Sequence, residues 1–181
     1  MLRVFALGRN SEQLFRQVAT DWQYVGPMRL IAGPDLARAT VEPDEFLTFA
    51  AGRLEDLFIS ARSQLERRRH EGVRDRHGRY RVQEYLCFDD TWRPVVRQLI
   101  RDTDLVLMDL RGFVQGNDGA RHELTLLAST GTLARTTLVV DGATDLAQVE
   151  SAVIEGVGNF SDATLVTLQD RPRLRLVDMV R

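Results

Sequence analysis

The chain has 181 residues, 44% hydrophobic and 28% charged, with a formal net charge of −2, which fits one globular domain, gives no reason to invoke disorder or fibre, and argues against bulk attraction to nucleic acid or anionic membrane while hiding a local asymmetry of charge. One cysteine (Cys87) and three histidines leave no internal disulfide and no Cys/His zinc set, and because all 24 basic residues are arginine, a Walker A lysine and Schiff-base chemistry are excluded too. The longest apolar runs, Leu105 to Met108 and Leu124 to Ala128, fall far short of the roughly 20 residues that span a bilayer, and no apolar signal segment opens the chain, so a cytoplasmic protein without a membrane span is expected.

Short strand-like runs alternate with helical periodicity, the pattern of a parallel sheet covered on both faces. Arg3 to Leu7 reads as a strand, and Gly8-Arg9-Asn10-Ser11 turns into a helix capped by Asn10 or Ser11, with Leu14, Phe15, Val18, Ala19 and Trp22 on one face. Pro27 to Ala32 reads as the second strand. From Asp44 to about Arg69 the apolar positions keep helical spacing, with a break at Gly52; residues 44–78 are expected as a helical, Arg-rich elaboration of a single domain spanning 1–181.

Arg79 to Phe88 alternates like a strand. Trp92, Val95, Val96, Leu99 and Ile100 then form a full helical stripe, with Pro94 tolerated in the first turn. Asp104 to Leu110 is a nearly continuous apolar strand, Arg111 to Asp118 a loop, Gly119 to Ser129 a helix, Thr136 to Val140 a strand and Asp145 to Ile154 a last amphipathic helix. Leu165 to Leu168, or Leu174 to Met179, offers an edge strand.

Three strands end in acid: Asp89-Asp90, Asp109 and Asp141. In open parallel sheets ligands bind outside the carboxyl ends of the strands, so these carboxylates either converge on a crevice, where they would suit Mg²⁺, or act as caps and turn residues. We expect no metal site. Asp109 lies inside an apolar strand and must find a partner there.

The loop Arg111-Gly112-Phe113-Val114-Gln115-Gly116-Asn117-Asp118-Gly119 carries three glycines between that strand and a helix start, where backbone amides and the helix dipole favour an anion. Its spacing matches neither G-x-G-x-x-G nor a Walker loop. Arg111, Gly112, Asn117 and Gly119, with Gly8, Arg9 and Asn10 after the first strand, form the candidate ligand-binding set. Glu123 falls on the inward stripe of its helix with Ala120 and Leu127, and a capping box is ruled out because the residue three before it is Ala120. Either it is held by the helix dipole or by an arginine such as Arg111, or it works at an anomeric carbon, with Asp109 or Arg111 assisting. Between Arg62 and Arg81 eight arginines face three acids; that stretch is either a solvated segment or a surface for phosphates or an acidic partner.

The run Thr103 to Asp109, the loop, and Gly119-Ala120-Arg121-His122-Glu123-Leu124 resemble the segment of TIR-like and nucleoside 2-deoxyribosyltransferase-like domains that carries their glutamate. Cys87-Phe88-Asp89-Asp90-Thr91-Trp92 and Met108-Asp109-Leu110-Arg111-Gly112-Phe113 are similar to cytosolic domains of uncharacterised bacterial membrane proteins. The resemblance implies a three-layer flavodoxin-like α/β fold, a mainly parallel sheet of about five strands with helices on both faces. It also implies that Glu123 stands where those domains cleave the N-glycosidic bond of NAD or a nucleoside. Two expectations follow. One is a signalling or sensing module that binds a nucleotide-like ligand or a partner protein, with no specific nucleic acid and a homo-oligomer left open; the other is a hydrolase or transferase using Glu123.

Overall fold

A computed structural model describes residues 2–4, 9–32, 58–59, 73–88, 90–168 and 174. In chain order the elements are β1 (Leu2–Val4), α1 (Arg9–Trp22), β2 (Met28–Ala32), β3 (Phe58–Ile59), β4 (Val82–Cys87), α2 (Trp92–Arg101), β5 (Val106–Asp109), α3 (Asp118–Ser129), β6 (Thr136–Val140), α4 (Leu146–Glu155) and β7 (Thr164–Thr167). Short 3₁₀ turns at Leu133–Arg135 and Phe160–Asp162 lead into β6 and β7.

The strands form one parallel sheet in the order β3-β4-β2-β1-β5-β6-β7. Its run β2-β1-β5-β6-β7 follows the doubly wound order 2-1-3-4-5, with β4 and β3 added beyond β2. The order reverses between β1 and β5. Right-handed crossovers therefore place α1, which leads back toward β2, on one face and α2, α3 and α4 on the other. The two cores obey this division and the two-residue period of the strands. Val106, Met108, Leu138 and Val140 pack with Val96 and Leu99 of α2, Leu124 and Leu127 of α3 and Val149 of α4. Leu107 and Val139 point the other way, onto Leu14, Phe15, Val18 and Trp22 of α1. Leu174 is buried in this second core.

The expected sheet with helices on both faces is what the chain forms, with seven strands among the described residues rather than about five. The added strand lies inside the expected 44–69 helix: Phe58 and Ile59 pair in parallel with Leu86 and Cys87 of β4. A short apolar run has no periodicity of its own that separates strand from helix, and here the open edge of β4 decides the conformation. The remainder of 44–69 lies outside the described residues, as do residues 174–179 as an edge strand apart from Leu174. The first helix also starts earlier than expected, at Arg9, so Asn10 and Ser11 fall within its first turn rather than at the position before it. Among the described residues no helix is long and apolar enough to cross a membrane.

Candidate functional site

β5 brings its acid to the carboxyl edge beside the point where the strand order reverses. Asp109 is 4% exposed, and the chain solves the burial within two residues. The Arg111 guanidinium donates from Nε to Asp109 Oδ1 at 2.9 Å and from Nη2 to Oδ2 at 2.7 Å, and the Arg111 backbone amide adds a third bond at 3.2 Å. This two-pronged geometry is the strong form of an ion pair. The hydrogen bond to Asp109 is the main reason that Arg111 holds its proton more tightly than usual, against the opposing effect of burial and with help from the charges of Asp109 and Asp141. Arg111 therefore serves Asp109.

Past Arg111 the loop makes two successive turns. Phe113 donates its amide to Leu110 O at 2.9 Å and Asn117 to Val114 O at 3.3 Å. Gly112 and Gly116 are the third residues of these turns, at φ 70° and 99°, a region that side chains with a Cβ rarely adopt. Two of the three loop glycines are thus demanded by turn geometry. Gly119 has an ordinary φ and only open space where a side chain would stand.

Phe113, 1% exposed, pins the loop to the core. Asn117 Oδ1 accepts from the Val114 amide at 2.8 Å, so it closes its own turn and leaves the first amides of α3 without a side-chain cap. Asp141 anchors the loop from the tip of β6. Its Oδ1 accepts from the amides of Gly112 at 3.0 Å and Ala143 at 3.1 Å and lies 3.0 Å from Thr144 Oγ1. Burial works against charge on Asp141, but the Gly112 amide, Thr144 hydroxyl, Ala143 amide and Arg111 guanidinium together hold its carboxyl below the ordinary carboxylate range. Asp141 is a turn residue that ties two loops together. Asp90 is exposed, and Asp89 lies outside the described residues. Among the described residues no three His, Cys, Asp or Glu side chains are grouped to hold a metal ion.

The loop encloses a cleft of about 270 Å³ lined by Phe113, Val114, Gln115, Gly116, Asn117, Asp118, Arg121 and Gln148. Arg121 crosses its wall toward α4, donating to Gln148 Oε1 at 3.2 Å, Ser151 Oγ at 3.3 Å and Glu155 Oε2 at 2.8 Å. The cleft thus combines backbone donors at the start of α3, the carboxylate of Asp118, a guanidinium and an amide side chain, over an apolar floor. Such a mixture suits a ligand that both accepts and donates hydrogen bonds.

Glu123 is fully buried, at 0% exposure, on the inward stripe expected of it. It does not line this cleft. Of the residues anticipated as a site, Asn117 lines the cleft; Gly119 stands in the first turn of α3; Arg111, Gly112 and Asp109 form the scaffold behind the loop. Gly8 lies outside the described residues, and Arg9 and Asn10 are described only as helical backbone. Arg121 and Gln148 escaped the sequence reading. The first was visible as the residue one helical turn after Asn117. Gln148 arrives from a helix 27 residues further on, and no local pattern announces it.

No protein-family model, curated protein or solved structure matches the chain.

Proposed function

We propose that the chain is a TIR-like signalling or sensing module that binds a nucleotide-like ligand, or a partner protein presenting similar groups, at the carboxyl edge of its sheet. The observation that carries this reading is the cleft formed by residues 113–118 with Arg121 and Gln148 beside the uncapped start of α3. Helix amides there favour a phosphate or carboxylate oxygen, and Arg121 and Gln148 offer a charged donor and an amide to the rest of the ligand. At about 270 Å³ the space takes part of a dinucleotide, one sugar phosphate or one base, and leaves the remainder outside.

Cleavage at an N-glycosidic bond needs a carboxylate in contact with the sugar. The complete burial of Glu123 and its absence from the cleft weigh toward binding without turnover. The test is incubation of the parent and of Glu123→Gln with NAD and a panel of nucleosides, following both base release and binding by calorimetry. The proposal expects no base release from either protein, and binding that survives in Glu123→Gln but weakens at least tenfold in Arg121→Ala. Base release by the parent that disappears in Glu123→Gln would replace the module with an enzyme.

A further inference from the structure

On the far side of α3 from the cleft, α2 shows a different chemistry. Its inner stripe, Val95, Val96, Leu99 and Ile100, is buried in the core. That orientation forces Arg93, Arg97 and Arg101 into one exposed row. Four-residue spacing sets the three guanidinium stems about 6 Å apart along the helix axis, so the row extends roughly 12 Å. Between this row and His122 of α3 runs a groove of about 310 Å³, lined by Arg93, Pro94, Arg97, Gln98, Arg101 and His122.

No carboxylate lines the groove, and among the described residues none pairs with these three arginines. Three other described arginines are paired with carboxylates: Arg79 with Asp75, Arg111 with Asp109 and Arg121 with Glu155. In a chain of net charge −2, an unneutralised row of like charges at i, i+4 and i+8 is unfavourable for the helix that carries it. A bound polyanion removes that cost. At the carboxyl-edge end Arg93 lies over the Trp92 ring, 5.5 Å from its centroid, and Trp92 meets the His122 ring edge-on at 5.4 Å. Burial, and then the charges of Arg93 and Arg97, hold His122 below its ordinary protonation range.

We propose that this groove binds the phosphodiester backbone of a single-stranded nucleic acid, with three successive phosphates on Arg93, Arg97 and Arg101 and a base against His122, the one ring among the residues that line it. The step between the arginines is comparable to that between successive phosphates of an extended strand, guanidinium forks match phosphate oxygens, and a half-buried ring beside a cationic track is what such strands use. An acidic peptide would match the charge but makes no use of the half-buried His122 ring. Recognition through phosphates carries no base sequence, so binding is sequence-independent.

The test is fluorescence anisotropy of a labelled oligothymidylate across a salt series, with an oligoglutamate of equal charge and inorganic tripolyphosphate as competitors. Three phosphate contacts predict a slope of log K against log salt near −2, from about −0.7 per phosphate of a single strand. Each of Arg93→Gln, Arg97→Gln and Arg101→Gln should lower that slope by roughly 0.7, and the triple variant should abolish binding. All three side chains are exposed, so a urea midpoint no lower than the parent's will show that the variants stay folded. No oligonucleotide binding, a slope unmoved by the substitutions, or equal displacement by oligoglutamate or tripolyphosphate would overturn the proposal; equal displacement would reassign the groove to an acidic protein partner or to free polyphosphate.

Discussion

Replacing Arg111 by methionine isolates the physics at the heart of the loop. The substitution keeps most of the side-chain volume and removes both guanidinium bonds from Asp109, whose side chain is 5% exposed, from a partner that is 11% exposed. Breaking a buried pair from one side costs about 3–5 kcal/mol, because the remaining charge is left in a low-dielectric environment. The Arg111 backbone amide still donates to Asp109 Oδ1, which places the expected loss at the low end, about 3 kcal/mol. For a domain of this size that corresponds to a fall in Tm of roughly 6–12 °C. Urea unfolding should show a lower midpoint with an unchanged m-value. The double variant Asp109→Leu/Arg111→Met should recover to within about 1 kcal/mol of the parent, since a buried pair is replaceable by apolar groups at little cost. A loss below about 1 kcal/mol in the single variant, the size expected of a surface ion pair, would refute the reasoning, as would a double variant less stable than Arg111→Met alone.

Three further outcomes follow from the same geometry. Asp141 has its carboxyl depressed below 3.8 in the folded chain, so its contribution is complete above that value and is lost as pH falls through the folded pKa; acid unfolding curves of Asp141→Asn should be flatter there than those of the parent. His122 is depressed below 6.5, so the unfolded chain binds the proton more readily and stability declines as pH falls below 6.5; thermal melts of His122→Asn should lack this decline, while both proteins respond alike above pH 7. Gly156 packs α4 onto α3 so closely that a Cβ would stand 2.4 Å from Thr125 O and 2.5 Å from the Ala128 Cβ. Gly156→Ala should therefore cost about 1–3 kcal/mol in chemical denaturation, where a tolerant surface position would show almost nothing.

The parts of this fold that could be read from residues alone are those whose local pattern and burial agree. The α2 stripe, the apolar β5 and the exact span of β6 are of this kind, because each has one face or both faces committed to the core. β3 was illegible: two residues carry no period, and their conformation comes from pairing with β4, which is distant in sequence. The acids divide in the same way. That Asp109 needs a partner follows from its neighbours, and the partner proves to be two residues away. The inward position of Glu123 was legible from helix geometry, yet a helical wheel gives only a direction and cannot say whether the space it faces is open or filled. Here it is closed to solvent, with Glu123 at 0% exposure. The cleft itself was half legible, since residues 113–118 form one local segment whereas Gln148 joins them through the packing of α4 on α3.

Mapping backbone amide chemical shifts during titration with NAD or AMP tests the central reading most directly. Nucleotide binding at the carboxyl edge predicts saturable shifts concentrated at Gly116, Asn117, Arg121 and Gln148, diminished in Arg121→Ala and retained in Glu123→Gln. Absence of saturable shifts at those four residues, or shifts confined to another surface, would contradict it.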